Sequence, residues 1–200
     1  MDLSIIIPAY NEEMRLPATL DRTLAFLSSH FAGTHEIVVV SDGSRDGTER
    51  VVTSYAAQFP GRVRLVAYQP NQGRGYAVRA GVKAAAGDYI LETDADGSVG
   101  MESVVQFYQF MKSNPETGLL MGSRFVSGAT VAIPQSAMRV FLGNVFALLA
   151  RLLCGFAHTD YALGYKMFSR AAAADIMPYQ RDNHYLAETE IAFIAKKRGW

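Results

Sequence analysis

Short apolar runs alternating with helix-spaced stretches constrain this chain more than any other feature. The runs "LSIIIP", "EIVVVSD", "VRLVAY", "DYILETD" and "GLLMGSR" are brief, aliphatic and rich in β-branched residues. That is the signature of buried strands. Helical spacing follows the first four: Leu20, Leu24, Leu27 and Phe31; Val51, Val52, Tyr55 and Phe59; Val78, Gly81, Val82 and Ala85; Val104, Phe107, Tyr108 and Met111. Asp46 and Glu49 resemble a capping pair opening the second helix, and Gly87 is placed to stop the third. Such alternation predicts an α/β fold, a mostly parallel central sheet with helices on both faces. Ligands of such sheets lie beyond the carboxyl ends of the strands. Those ends read "PAYNEE", "SDGS", "TDADG" and "GSR", so polar groups gather where a ligand would sit.

The fourth run raises a chemical question, because it ends in Asp94 and Asp96, one residue apart and followed by Gly97. Two like charges this close need a cation or good solvation. A helix-capping turn is one reading. An EF-hand loop counted from Asp94 fails, because Val99 and Val105 occupy the places that need Gly and Glu. A Mg²⁺ or Mn²⁺ ion held by both carboxylates together with phosphate oxygens fits the donor set.

Phosphate-binding motifs are sparse. There is no GxxxxGK[ST] loop and no GxGxxG after the first strand. The pair Gly73 and Gly75 opens the third helix, either as a flexible loop or as a close backbone approach to a nucleotide sugar, with Arg74 or Arg79 beside it. Asp42 ends the second strand and can accept hydrogen bonds from a base or ribose, or serve a turn. Arg124 is a surface residue or an anion clamp. HExxH and GxSxG are absent, and the four histidines are scattered.

Composition sets further bounds. Lys and Arg total 19 and Asp and Glu total 19, so nothing favours bulk nucleic-acid binding. The single cysteine, Cys154, can form neither an internal disulfide nor a multi-cysteine zinc site. "MDLSIIIPAY" does not read as a signal peptide. Residues 138–156, "MRVFLGNVFALLARLLCGF", are strongly apolar but interrupted by Arg139, Asn144 and Arg151. As a helix they would be about 28 Å long at 1.5 Å per residue. They suit a core helix, a homodimer contact or an interfacial membrane helix exposing Phe141, Phe146 or Leu149.

Taken together, "SIIIPAYNEE", "EIVVVSDGSRDGT", "NQGRGYAVRAGVKAAAGDYILETDADGS" and "GSRF" resemble family 2 glycosyltransferases with the GT-A fold. "TDYALGYKMFSRAAA" and "AETEIAFIAKKRG" resemble the polyprenyl-phosphate branch, and "DADG" its dolichyl-phosphate β-glucosyltransferase type. The resemblance implies one domain over 1–200, with 1–125 binding a nucleotide sugar and 126–200 an acceptor. Pro8, Ala9, Tyr10, Glu12 and Asp42 would line a uridine pocket, with Gly73, Arg74 and Ala95 also on the donor side. Asp94 and Asp96 would hold Mg²⁺ or Mn²⁺, Asp96 more strongly. Arg124 would hold phosphate, from the donor or the acceptor, and Arg139 and Lys166 would be additional acceptor-phosphate residues. Asp96, Arg124, Glu188 and Glu190 form the implied catalytic group. The branch's aromatic–Asp–x–Glu element reads "AETE" here, so Glu188 replaces the aspartate. The implied reaction is inverting transfer of a hexose, glucose, from UDP-glucose to dolichyl or polyprenyl phosphate. GDP-mannose as donor, a saccharide hydroxyl as acceptor, or a non-catalytic nucleotide-sugar-binding domain are the alternatives. The implied place is the cytoplasmic face of a membrane, peripheral or anchored by a segment outside this chain. The chain stops at Trp200, where the resemblance implies further C-terminal sequence.

Overall fold

The computed structural model describes residues 1–123, 138, 142, 143, 145, 160, 163–184 and 186–200. Their strands are β1 (Leu3–Ala9), β2 (His35–Asp42), β3 (Val63–Tyr68), β4 (Tyr89–Glu92), β5 (Leu119–Met121) and β6 (Lys166–Ser169). Their helices are α1 (Leu16–His30), α2 (Thr48–Gln58), α3 (Arg74–Ala84), α4 (Glu102–Ser113), α5 (Arg170–Ile176) and α6 (Ala187–Lys197), with a 3₁₀ turn at Met177–Tyr179. The sheet order is β3-β2-β1-β4-β6-β5.

The continuous apolar character of β1 follows from its central place. Leu3, Ile5, Ile7 and Ala9 face a core built with Leu16, Leu20, Leu24 and Leu27 of α1, Val52 of α2, and Val104 and Met111 of α4. Ile6 faces the opposite core, with Val78 and Val82 of α3, Ala172 and Ile176 of α5, and Ile191 of α6. Each buried aliphatic side chain stabilises the fold by about 1.5–3 kcal/mol. Gly81 lets α3 lie close on β1, since a Cβ there would meet Ile6 Cγ2 at 2.3 Å.

β1 pairs parallel with both β2 and β4, and β2 parallel with β3. The chain therefore winds outward from β1 to β3, then returns to place β4 on the other side of β1. The carboxyl ends of β1 and β4 flank that reversal, the place where such sheets open a ligand crevice. β6 runs antiparallel between β4 and β5. Residues 166–169 thus complete the same sheet as the first half of the chain.

Two local expectations change. α2 begins at Thr48, and the Asp46 carboxylate accepts from both the backbone N and Oγ1 of Thr48. Glu49 accepts from Ser41 Oγ at 2.9 Å rather than reaching back to the helix start. α3 ends at Ala84, before Gly87. A Cβ on Gly87 would stand 2.5 Å from the backbone nitrogen of Ser4, so this glycine serves the close passage of the loop over β1. Among the described residues no helix is long and apolar enough to cross a membrane. The apolar stretch 138–156 lies outside the described residues except at 138, 142, 143 and 145.

Candidate active site

A cavity of about 430 Å³ opens at the carboxyl ends of β1, β2 and β4. Pro8, Ala9, Tyr10 and Glu12 form one wall, where β1 runs into the turn before α1. Asp42, Gly73 and Arg74 form another, and Asp94, Ala95 and Asp96 a third. The ten residues expected on the donor side thus surround one space. Arg15, Asn71, Ala77 and His184 also line it and were not expected from sequence.

The third wall explains the two aspartates. Ala95 is buried, and its carbonyl accepts from Thr19 Oγ1 of α1 at 2.8 Å. That contact pins the turn, leaving the carboxylates on either side of Ala95 to line the cavity. Asp96 is exposed and caps its own turn through Ser98 N at 2.9 Å. Gly97 follows with φ +62°, a left-handed conformation glycine adopts readily. Asp94 is half-buried and accepts from Arg74 Nη2 at 2.6 Å. Among the described residues no three His, Cys, Asp or Glu side chains converge as a metal cluster. Two carboxylates facing a cavity still fit Mg²⁺ or Mn²⁺, whose remaining ligands would come from phosphate oxygens and water.

Asp42 is differently employed than expected. Its Oδ1 accepts from Gln72 N at 2.7 Å, and its Oδ2 from Gly73 N and Asn71 Nδ2, both at 2.9 Å. A carboxylate has about four acceptor sites, so three are committed to the protein's own 71–73 loop. The glycine pair is also explained internally. A Cβ on Gly73 would meet Asn183 O at 2.3 Å, and one on Gly75 would meet Asp182 O at 2.4 Å. The close approach at these glycines is made by the 182–184 loop, with Gly75 N donating to Asn183 O at 2.8 Å. Glu190 braces that loop from below, accepting from Arg181 N and Asp182 N at 2.9 and 2.8 Å. It does not line the cavity. Neither does Arg79, whose guanidinium binds Gln180, just after the 3₁₀ turn, and Asn183 of the same loop.

Beneath the cavity lies a charge cluster of which only parts were foreseen. Arg74 Nη1 donates to Glu92 Oε1 at 2.5 Å and to Glu188, while Nη2 reaches Asp94. Lys166 Nζ donates to Glu188 and to Leu163 O, the latter at 2.7 Å. Lys166, expected at the acceptor phosphate, is fully buried and paired with Glu188. Burial and the neighbouring Glu188 charge push Glu92 up to about 7, against the pull of Arg74 and Lys166. Burial alone would raise Glu188 too, yet Lys166 and Arg74 hold it below the ordinary carboxylate range. Glu92 Oε2 has no hydrogen-bond partner among the described residues. Arg124 and Arg139 lie outside the described residues.

This crevice on a mostly parallel sheet is the architecture of GT-A glycosyltransferases. Glucosyl-3-phosphoglycerate synthase of Mycobacterium tuberculosis, solved with UDP, superposes with a TM-score of 0.69 over 96% of this chain and 64% of its own, at 18% identity. The same enzyme solved with Mn²⁺, UDP and glucosyl-3-phosphoglycerate gives 0.67 over 96% and 63%, also at 18% identity. At that identity the likeness concerns the fold alone.

The sequence narrows the class to a family. The family model "Glycosyl transferase family 2" matches residues 4–177, and the chain belongs to that family. A dolichyl-phosphate beta-glucosyltransferase of Dictyostelium discoideum is 32% identical over 203 residues, 98% of this chain and 62% of the relative. Another from Trichomonas vaginalis is 35% identical over 204 residues, covering 98% and 60%. The Homo sapiens protein of that name is 30% identical over 203 residues, covering 97% and 63%. The chain therefore spans about three-fifths of the length of these curated relatives.

Proposed function

We propose that this chain carries the catalytic part of an inverting glycosyltransferase that moves glucose from UDP-glucose to dolichyl phosphate or a similar polyprenyl phosphate. The observation that carries the reading is a cavity that gathers the β1 wall, Asp42 and the Asp94–Asp96 pair, in a chain whose relatives are named dolichyl-phosphate beta-glucosyltransferase.

Under this reading the Pro8–Glu12 wall and Asp42 hold the uridine. Asp42 acts through its remaining acceptor site and through the 71–73 loop it fixes. Asp94 and Asp96 hold Mg²⁺ or Mn²⁺, which when bound supplies Lewis-acid stabilisation of the departing nucleoside diphosphate. Arg74 presents a permanent positive charge on the neighbouring wall, against Asp94. An acceptor phosphate monoester has a second pKa near about 6 and is already ionised at neutral pH. It therefore needs docking charge more than a general base. Arg124 and Arg139 are proposed for that docking. One phosphate oxygen forms the bond to the anomeric carbon as the bond to the diphosphate breaks, and in-line attack inverts the configuration. Glu188 and Glu190 are positioning residues, the first holding Arg74 and the second the 182–184 loop. An acceptor embedded in a bilayer places the reaction at a membrane surface, on its cytoplasmic face.

The test is a donor screen with the purified chain, Mg²⁺ or Mn²⁺ and dolichyl phosphate in detergent, with products read by mass. Transfer from UDP-glucose in preference to GDP-mannose supports the reading. Transfer only to free saccharides, or nucleotide binding without any turnover, would overturn it.

A further inference from the structure

Asp94 faces two ways. With Asp96 it lines the cavity, and at the same time it accepts from Arg74 at 2.6 Å. Arg74 cannot easily be drawn off. Its other terminal nitrogen is held by Glu92 and Glu188, and a Cβ on Gly164 would stand 2.0 Å from Nη2, so main chain closes over the ion pair. A guanidinium does not lose its proton in proteins. The positive charge at Asp94 is therefore fixed, although the Arg74 side chain keeps about a third of its surface exposed, at 33%.

Such a charge has opposite effects in two states of the site. In the empty site it neutralises part of one carboxylate and repels a divalent cation approaching the pair. Once a diphosphate adds several negative charges, the same guanidinium attracts the complex that it opposed. We infer that Arg74 makes capture of the divalent cation conditional on the nucleotide diphosphate, so that cation and donor bind as a pair. The inference rests on the reading that Asp94 and Asp96 hold a cation alongside a nucleoside diphosphate. It adds that the coupling between the two ligands is set by Arg74. Linkage requires the coupling to be reciprocal. This differs from a plain anion clamp, which would strengthen diphosphate binding without weakening binding of the bare cation.

The experiment measures three affinities: Mn²⁺ alone by electron paramagnetic resonance, Mn²⁺ with saturating UDP, and UDP with saturating Mn²⁺ by calorimetry. The proteins are wild type, Arg74→Gln, Arg74→Lys and the double variant Arg74→Gln/Glu92→Gln. The double variant removes a guanidinium together with the carboxyl group it pairs with, which leaves less uncompensated negative charge than the single Gln variant if that one fails to fold. In the Gln variants Mn²⁺ alone should bind on the order of tenfold tighter, the scale of relieving one partly screened like-charge contact. UDP with Mn²⁺ should bind on the order of tenfold weaker by the same reasoning. Arg74→Lys should stay near wild type in both. Opposite signs in one folded protein are not a signature of general damage. If both affinities fall together in the double variant, or neither moves, the inference is wrong and the metal reading stands. If wild type binds no Mn²⁺ with or without UDP, the metal reading fails and the inference fails with it.

Discussion

Replacing Glu92 with glutamine should stabilise the protein at alkaline pH, although it removes a member of a buried ion cluster. Glu92 is fully buried at the end of β4. Facing it are Arg74 from α3, Glu188 from α6 and Lys166 from β6, with Asp94 just beyond. If every group ionised, three carboxylates would share two cations, leaving one uncompensated negative charge. Burial and Glu188 accordingly push Glu92 from 4.5 up to about 7. Because the folded value is raised, the stability linked to this group is fully present below about 4.5 and is lost as pH rises through about 7. At about 1.4 kcal/mol per pH unit, the gap corresponds to roughly 3 kcal/mol lost by pH 8. Glutamine mimics the protonated carboxyl and still accepts from Arg74, so Glu92→Gln should lack this loss. Urea unfolding of both proteins at pH 5 and pH 8 measures it. The variant should match wild type near pH 5 and exceed it by about 2–3 kcal/mol at pH 8. Parallel pH profiles would refute the charge argument, as would a variant destabilised equally at both values.

Other consequences follow from the same geometry. Asp96→Asn removes a charged ligand with little change of shape, and transfer should fall by at least ~10²-fold, the scale of losing one electrostatic stabiliser; full activity in excess chelator would contradict this. Asp42→Ala should weaken UDP binding and erode its preference over GDP by calorimetry, because it loses an acceptor and frees the 71–73 loop; unchanged selectivity would count against that wall. Gly75→Ala should lower stability by roughly 1–3 kcal/mol, the usual cost of overpacking, because its Cβ would strike Asp182 O and Ala187 Cβ at 2.4 and 2.5 Å. An unchanged melting temperature would mean that the 182–184 loop yields freely.

The parallel core of the fold was legible because its signals are local. Ile5, Ile6 and Ile7 must bury both strand faces, and Leu20, Leu24 and Leu27 share one helix stripe. The cavity lining was legible for a related reason: parallel strands bring "PAYNE", Asp42 and "DAD" to one edge. The antiparallel entry of β6 between β4 and β5 was not, since nothing local to "KMFS" names its partners. The cluster of Arg74, Glu92, Lys166 and Glu188 draws on α3, β4, β6 and α6, so no spacing in the sequence announces it. Glu92 in particular reads as the last residue of an apolar run. Gly73 and Gly75 did signal a close approach, but a glycine cannot say whether a ligand or another loop of the chain makes it. His184 reaches the cavity only because that loop folds onto them.

The proposed reaction makes one bond, between a phosphate oxygen of dolichyl phosphate and the anomeric carbon of glucose. The most direct measurement is the reaction of the purified chain with UDP-glucose, Mn²⁺ and dolichyl phosphate, with the product isolated and its anomeric proton coupling read by nuclear magnetic resonance. The expected product is a β-linked dolichyl-phosphate glucose. An α-linked product, or glucose appearing only on a hydroxyl acceptor or in water, would contradict it.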